Sequence, residues 1–297
     1  MLRMNTRNLR FRSNRVRDIV SLFHEELDGM YGSGEVGVFV DMLFEAFLGW
    51  DKVRLLSSKE ETIDQSDLLR FHWALEELKA FCPIQHIIGY TDFCGCRIAV
   101  NPDVLIPRPE TEEIVQWIVS MFHAPRSTPR ILDLCTGSGC VAIALKKAFP
   151  EADVTAVDLS PAAIAVARRN AADNQAEVDF LQADILDPMF NLQSSIFNLI
   201  VSNPPYVRDS ERACMQRNVL EHEPELALFV PDDDALRFYR AIAAVAIRHL
   251  DHDGLLAVEI NEALADETAA LFRGQGLVAA VHTDFRDRPR WITATNQ

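Results

Sequence analysis

Residues 198–206 read Asn-Leu-Ile-Val-Ser-Asn-Pro-Pro-Tyr, and this stretch decides the fold of the second half of the chain. The run 199–201 has the length and the β-branched content of a buried parallel strand. The two prolines that follow Asn203 hold the backbone extended and donate no backbone hydrogen bond. They therefore fix an Asn side chain, a Pro carbonyl and the Tyr206 ring at the carboxyl end of a strand. In open α/β sheets, ligands bind at that edge.

These groups suit the chemistry of a planar NH2 group, whose delocalised lone pair makes it a poor nucleophile. The Asn203 side-chain oxygen and the Pro204 carbonyl would accept its two N–H bonds and stabilise the positive charge that develops on nitrogen during attack. The Tyr206 ring would offer a flat apolar wall to the rest of the substrate. The competing interpretation is an ordinary proline-rich turn, and this stretch alone does not separate the two.

The composition of the 297 residues is typical of a two-domain globular protein, with 48% hydrophobic and 25% charged residues. No apolar run approaches the roughly 18 residues that a membrane-spanning helix needs, so we expect no membrane association. The six cysteines form no CxxC pair, which argues against zinc and favours reduced thiols in the cytoplasm. We expect no metal site and a monomer.

Charge is distributed unevenly along the chain. Residues 1–20 hold six arginines and one aspartate and so carry a local charge of +5. Since the net charge of the chain is −15, residues 21–297 carry −20. Because DNA binding depends on neutralising phosphates, such an acidic body is unsuited to duplex DNA and favours a protein or small-molecule substrate. Residues 1–15 are predicted to be a disordered basic tail. Contact with an acidic partner or RNA, or a transit peptide, are the alternatives.

Helical periodicity extends from residue 16 to about residue 83, which predicts a small amino-terminal helical bundle over residues 16–90, interpreted as a recognition domain. Residues 91–108 predict a β-hairpin linker, in which Arg108 belongs either to a rigid connection or to the wall of a cleft. From residue 109 to residue 297 strands alternate with helices, which predicts a mostly parallel sheet.

Three successive strand tips in this second region carry a set of groups that suits a nucleoside. A turn with Gly137 and Gly139 follows the first strand, and Asp158 and Asp184 follow the next two. The glycines allow a ligand to approach the backbone closely at a helix amino terminus. A carboxylate at the second tip can accept both ribose hydroxyls, and Asp184 can accept an adenine amino group beside Ile185. Each acid alone is more often a helix cap or a loop residue.

Six stretches together carry a family resemblance: Pro-Ile-Gln-His-Ile-Ile-Gly (83–89), Val-Leu-Ile-Pro-Arg-Pro-Glu-Thr-Glu (104–112), 133–139, 201–206, Glu-Pro-Glu-Leu-Ala-Leu (223–228) and Arg-Asp-Arg (286–288). They resemble the HemK/PrmC family of class I S-adenosylmethionine-dependent methyltransferases. The resemblance implies a Rossmann-like α/β domain with a seven-stranded, mostly parallel sheet beside the helical bundle. It also implies methylation of the side-chain nitrogen (N5) of the Gln in the Gly-Gly-Gln tripeptide of peptide chain release factors.

The resemblance also implies the site residues. Asn203, Pro204 and Tyr206 are expected to be catalytic, and with Pro205 they are expected to bind the substrate. The residues expected to bind S-adenosylmethionine are Cys135, Thr136, Gly137, Ser138, Gly139, Asp158, Asp184, Ile185 and Asn203. Cys135 departs from the family pattern, because it stands where a Gly is usual, and Asn261 likewise replaces a common Gly.

Other functions remain open at the level of sequence. The same motif could methylate a Gln of a ribosomal protein, or the N6 amine of adenine in a nucleic acid. A cofactor-binding protein that has lost catalysis is a third class, against which the intact Asn-Pro-Pro-Tyr argues.

Overall fold

The computed structural model describes residues 12–122, 128–192 and 195–296, and the rest of the predicted basic tail, residues 1–11, lies outside them. The chain divides into two compact units. The first takes in the described residues up to Gly89 together with Arg217–His222, and the second takes in the described residues of 90–216 and 223–296.

In chain order the described helices are α1 (Val16–Tyr31), α2 (Ser33–Leu48), α3 (Lys52–Ser57), α4 (Gln65–Lys79), α5 (Ile84–Ile88), α6 (Pro109–Met121), α7 (Cys140–Ala148), α8 (Pro161–Asp173), α9 (Arg217–His222), α10 (Arg237–His249) and α11 (Ala265–Gly274). The strands are β1 (Tyr90–Phe93), β2 (Cys96–Ala99), β3 (Arg130–Leu134), β4 (Asp153–Asp158), β5 (Asp179–Gln182), β6 (Phe197–Ser202), β7 (Val207–Arg208), β8 (Phe229–Val230), β9 (Leu250–Glu259), β10 (Leu277–Thr283) and β11 (Pro289–Asn296). None of these helices combines the length and the apolar character that crossing a membrane requires.

The first unit is a helical bundle with an aromatic core. Phe23, Phe44 and Phe71 are fully buried, and the Phe44 and Phe71 rings lie 4.5 Å apart between centroids. The α1 helix begins immediately after a short pairing in which Ile63 N–H donates to the Asn14 carbonyl at 3.0 Å. The Asn14 Nδ2 donates back to the Ile63 carbonyl at 2.8 Å. The described end of the basic segment is therefore held against residues 60–63.

The second unit is an α/β domain around one seven-stranded sheet, with the strand order β10-β11-β9-β6-β3-β4-β5. The five strands from β9 to β5 are parallel, and β11 pairs antiparallel with both β9 and β10. Neighbouring residues of β3 contribute to opposite faces, since Ile131 packs in one apolar core and Leu132 in the other. Burial on both faces is the reason that these strands read as continuous apolar runs. The predicted class I methyltransferase fold with a mostly parallel sheet of seven strands is confirmed.

Register brings the ends of the parallel strands to one edge. Leu134 of β3 is opposite both Val157 and Ser202, and Ser202 is opposite Val258 of β9. The residues that follow these positions include the predicted site residues, so the sheet places them side by side. The apolar run 254–258 predicts a strand that begins at Gly254, but β9 begins at Leu250, because Leu250 already pairs with Phe197.

Candidate functional site

A cavity of about 320 Å³ lies at the carboxyl edge of the central strands and within the second unit. Its wall comes from the ends of β3, β4, β5 and β6 and from the segments around residues 104–111 and 224–238. Its volume falls in the range of small-molecule sites, which is roughly 300–1,000 Å³. Nine of the residues predicted from sequence line it: Cys135, Thr136, Gly137, Ser138, Asp158, Asp184, Ile185, Asn203 and Pro205.

The loop after β3 takes a left-handed backbone conformation at three positions, with φ of 62° at Cys135, 55° at Gly137 and 81° at Gly139. The Thr136 hydroxyl donates to Asp133 Oδ2 at 2.6 Å, which ties the loop back to its own strand. Asp133 is only 1% exposed, and this burial raises its pKa to about 7. The space over Gly137 is open, since a Cβ there would meet no atom within 4 Å. A ligand can therefore approach this backbone closely.

Asp158 joins two loops at the tip of β4. Its Oδ2 accepts the Gly137 N–H at 2.8 Å and its Oδ1 accepts the Ser160 N–H at 2.9 Å. Burial raises the pKa of the carboxyl group, and the backbone N–H bonds oppose that shift. Each carboxylate oxygen has a further lone pair, so the group can still accept hydroxyls of a ligand.

The β5 tip adds a second carboxylate and an apolar side chain to the same wall. Asp184 Oδ1 accepts the Leu186 N–H at 2.8 Å, which fixes the turn. Ile185 is buried and lines the cavity beside it. Two acids, an open glycine backbone and an apolar wall fit a nucleoside-bearing cofactor.

Asn203 begins a chain of hydrogen bonds that leads from the cavity wall to the buried carboxylate of Glu259. Its Nδ2 donates to Thr111 Oγ1 at 3.1 Å, and the Thr111 hydroxyl donates to Glu259 Oε2 at 2.6 Å. The other oxygen of that carboxylate, Oε1, accepts the Tyr206 hydroxyl at 2.9 Å. Thr111 is 4% exposed and Glu259 is 2% exposed. Burial raises the pKa of the Glu259 carboxyl and raises that of the Tyr206 hydroxyl well above its usual value.

Arg108 lines the cavity and is anchored by a buried carboxylate. Its NH2 group lies 2.5 Å from Glu223 Oε1, and the other oxygen, Oε2, accepts the Ile106 N–H at 3.0 Å. The Ile-Pro-Arg-Pro stretch is thus clamped to the Glu-Pro-Glu-Leu stretch by one side chain. Of the two interpretations of Arg108, the structure shows the one in which it faces a cleft.

Three predicted site residues are not among those that line the cavity: Gly139, Pro204 and Tyr206. Gly139 packs against α8, where a Cβ would lie 3.0 Å from the Ala167 Cβ. Pro204 is buried, and the Tyr206 hydroxyl bonds Glu259 as described above. Their roles in catalysis or binding stay predictions.

Sequence reasoning missed Thr111, Asp133 and Glu259 as parts of the site. Thr111 and Asp133 lie in stretches that carry the family resemblance, but neither they nor Glu259 are among the predicted site residues. A signal was present, because Glu259 is an acid that ends an apolar strand, as Asp158 does. Within the described ranges, no group of His, Cys, Asp and Glu side chains has the arrangement of a metal site.

Two family descriptions match the chain. "Methyltransferase small domain" matches residues 114–226, and "PrmC N-terminal domain" matches residues 32–89. Among solved structures, the hMettl16 catalytic domain in complex with MAT2A 3'UTR hairpin 1 shares 15% identity with a TM-score of 0.52, over 81% of this chain and 84% of that one. At this identity the likeness concerns the fold alone.

Curated relatives match over most of their length. A release factor glutamine methyltransferase of Flavobacterium psychrophilum is 42% identical over 86% of this chain and 90% of its own. A protein of the same name from Bacteroides thetaiotaomicron is 40% identical over 84% of this chain and 88% of its own. The methyltransferase matches and the fold imply S-adenosylmethionine as the methyl donor.

Proposed function

Because this chain belongs to the release factor glutamine methyltransferase family, we propose that it methylates the side-chain amide nitrogen (N5) of the Gln in the Gly-Gly-Gln tripeptide of peptide chain release factors. The observation that carries the proposal is that Asn203 lines the same cavity as Asp158 and Asp184. The amide-binding group and the nucleoside-binding groups thus share one chamber. Methyl transfer needs this adjacency, because the acceptor nitrogen must lie next to the donor methyl.

The donor site is proposed to consist of the loop 135–139 with Asp158, Asp184 and Ile185, and Asn203 would border it while contributing little to donor affinity. Asp158 would accept the ribose hydroxyls, Asp184 would accept the adenine amino group, and Ile185 would pack against the ring. When bound, S-adenosylmethionine supplies an electrophilic methyl group on a positively charged sulfur. The open backbone at Gly137 gives the donor room for close approach.

The acceptor site is proposed to be Asn203–Tyr206. The Asn203 Oδ1 and the Pro204 carbonyl would accept the two N–H bonds of the Gln side chain and hold its nitrogen in line with the methyl group. As the nitrogen–carbon bond formed and the sulfur–methyl bond broke to leave a neutral thioether, these two oxygens would stabilise the positive charge that develops on nitrogen. The extra proton then leaves to water, so no strong base has to act before attack.

The remaining expectations complete the proposal. Residues 16–90 would recognise the release factor, residues 91–108 would link the two parts, and residues 109–297 would carry the reaction. The chain would act as a monomer in the cytoplasm and would not act on duplex DNA. The charge of −20 beyond residue 20 supports the last point, because it opposes binding to phosphates.

A labelling experiment tests the reaction and the substrate together. The purified chain is incubated with methyl-labelled S-adenosylmethionine and a release factor, either intact or with Ala in place of the Gln of its tripeptide. We expect label in the intact factor and none in the variant. Equal label in both proteins, or no label in the intact factor when ribosomal protein or adenine-containing nucleic acid supplied in a parallel incubation is labelled, would contradict the proposed substrate.

The role of Asn203 is tested with Asn203→Ala in the same assay. We expect a loss of about 100-fold or more in the transfer rate, because one transition-state acceptor is removed, while cofactor affinity measured by calorimetry stays within about threefold. Asn198→Ala is the matched control, since Asn198 lies on the same strand but bonds Arg130 and Asp251 instead of facing the cavity. Retention of most activity by Asn203→Ala would remove Asn203 from the mechanism.

A further inference from the structure

The hydrogen bonds behind Asn203 have a direction that the chemistry of their partners dictates. A carboxylate accepts hydrogen bonds and donates none, whereas a hydroxyl has only one hydrogen to donate. Since the Thr111 hydroxyl lies 2.6 Å from Glu259 Oε2, its one hydrogen is committed to that oxygen. Its lone pairs are left to accept a hydrogen from the group on its other side.

That group is the Asn203 side chain, whose Nδ2 lies 3.1 Å from Thr111 Oγ1. With its NH2 group directed to Thr111, the amide directs its oxygen away from Thr111. An Asn side chain is nearly symmetric in shape, and its hydrogen-bond partners decide which end points where. Here the partner that decides is a buried carboxylate two hydrogen bonds away.

We propose that Thr111 and Glu259 are positioning residues that set the orientation of the Asn203 amide, so that an acceptor and not a donor faces the Gln side chain. This inference deepens the proposed function and rests on it for its kinetic consequence. If the Asn203 amide turned over, its NH2 group would meet the NH2 group of the substrate. The site would then lose an acceptor and gain a like-polarity contact.

Glu259 also holds the far end of the same motif. Its Oε1 accepts the Tyr206 hydroxyl at 2.9 Å, so one carboxylate is bonded to Tyr206 and, through Thr111, to Asn203. Both oxygens of the buried group are therefore satisfied by hydroxyl donors, as a buried carboxylate requires. The arrangement fixes Asn-Pro-Pro-Tyr at both ends, which keeps the acceptor geometry rigid.

The orientation depends on the charge of Glu259, because a protonated carboxyl could donate to Thr111 and reverse the chain. The groups that act on this carboxyl are the Thr111 and Tyr206 hydroxyls and the Arg290 guanidinium, which favour the charged form, and burial and Glu110, which oppose it. Burial is the largest influence and raises the pKa. Activity is therefore expected to fall as pH falls through that raised pKa.

Three variants test the inference in the full chain with release factor as the substrate: Thr111→Val, Thr111→Ser and Glu259→Gln. Val keeps the shape of Thr but removes the hydroxyl, whereas Ser keeps the hydroxyl. Gln keeps the shape of Glu but offers a donor. We expect Thr111→Val and Glu259→Gln to lower kcat by at least about tenfold, with a smaller change in KM for the release factor. We expect Thr111→Ser, which keeps the hydroxyl, to retain most of the native kcat.

A second readout does not depend on methyl transfer. In protein labelled with ¹⁵N-Asn, the Asn203 side-chain NH2 signals are assigned by their loss in Asn203→Ala, and their exchange with water is measured. We expect slow exchange in the native chain and in Thr111→Ser, and fast exchange in Thr111→Val. This result would stand even if release factor proved to be the wrong substrate, so the two failures are distinguishable.

Thr268→Val is the matched control, since Thr268 on α11 is also a buried Thr whose hydroxyl bonds a protein oxygen, the carbonyl of Leu264 just before that helix. It should leave both kcat and the exchange of the Asn203 signals unchanged. Native kcat and slow exchange in a folded Thr111→Val would overturn the inference. Parallel loss of cofactor affinity and melting temperature in Thr111→Val and Thr111→Ser alike would also overturn it, because that pattern indicates a merely structural role.

Discussion

Cys135 occupies a backbone position that favours glycine, with φ of 62°. A residue with a Cβ costs roughly 1–2 kcal/mol in this region. Cys135 therefore stands where a Gly would be expected and keeps the left-handed backbone conformation at this cost. Burial raises the pKa of its thiol well above the usual value, so the group is neutral at ordinary pH although it lines the cavity.

We expect Cys135→Gly to be more stable than Cys135→Ala by about 1 kcal/mol, because only Gly relieves the left-handed conformation. The free energy of unfolding from urea titration measures the difference. The control is Ala165→Gly at an exposed position in the middle of α8, where the sign should reverse, since Gly is about 1 kcal/mol worse than Ala in a helix. An Ala variant at position 135 as stable as the Gly variant would show that the position is unstrained.

For single residues, the sequence predicts which side chains lie at the site, but it does not predict how those side chains are oriented. Asn203, Asp158 and Asp184 each follow an apolar run, and strand ends meet at one edge of a parallel sheet. The direction of the Asn203 amide depends on Thr111, which is 92 residues away in sequence, and local pattern carries no information about such a contact.

The elements around the loop 135–139 are held together by two features at the start of α7. Gly139 precedes this helix with φ of 81° and packs directly on α8, where the nearest side-chain atom is the Ala167 Cβ. The buried Asn170 side chain of α8 donates to the carbonyls of Ser138 at 2.9 Å and Ala99 at 3.0 Å. Contacts with Ala167 and Asn170 of α8 thus fix the loop that is proposed to hold the cofactor.

We expect Gly139→Ala to lower the free energy of unfolding by about 2 kcal/mol or more, since both the backbone conformation and the contact with Ala167 oppose a Cβ. Gly137→Ala is the control, because its Cβ would meet open space. That variant should cost only about 1 kcal/mol for its positive φ. Gly137→Ala should nevertheless lower the free energy of cofactor binding, measured by calorimetry, by more than it lowers the free energy of unfolding, measured by urea titration. Equal stability of the two alanine variants would contradict the packing argument.

Element types could be predicted better than element ends. The apolar runs before Cys135, Asp158 and Asn203 identify buried strands, because both faces of the sheet are covered. The start of β9 could not be predicted, since the polar stretch Asp251–Asp253 resembles a loop. Its strand conformation is supported by partners elsewhere: Asn198 Nδ2 donates to Asp251 Oδ2 at 2.9 Å.

At the scale of the whole molecule, buried acids make the stability of the fold depend on pH. Asp133 has a pKa raised from 3.8 to about 7 by burial, so the folded chain binds a proton that the unfolded chain has released over this interval. The contribution of this proton to stability is complete below the pKa that Asp133 has in the unfolded chain. It is lost as pH rises through the pKa that Asp133 has in the folded chain. Burial raises the pKa of Glu259 in the same direction.

We expect Asp133→Asn, which cannot titrate, to gain stability relative to the native chain as pH rises from about 4 to about 7, the interval between the two pKa values of Asp133. The measurement is the difference between the two free energies of unfolding at each pH. A difference that stays constant over this range, or that moves the other way, would show that Asp133 is already ionised in the folded chain at low pH.

Composition and periodicity predicted a helical part followed by an α/β part, but they could not predict that α9 clusters with the helical unit. Its short sequence carries no strong apolar period. Its place depends on contacts with residues far away in sequence: the Arg217 guanidinium lies 4.2 Å from the centre of the Phe81 ring, and a His222 ring nitrogen lies 3.1 Å from the Ala80 carbonyl.

The central claim is that two oxygens, Asn203 Oδ1 and the Pro204 carbonyl, hold the Gln amide nitrogen beside the methyl donor. The most direct test is a crystal structure with a Gly-Gly-Gln peptide and the demethylated cofactor, in which the two distances to that nitrogen are measured. We predict that both are about 3 Å, with the Asn203 NH2 still directed to Thr111. An Asn203 amide turned with its NH2 towards the Gln, or a Gln nitrogen beyond hydrogen-bonding distance of both oxygens, would contradict the claim.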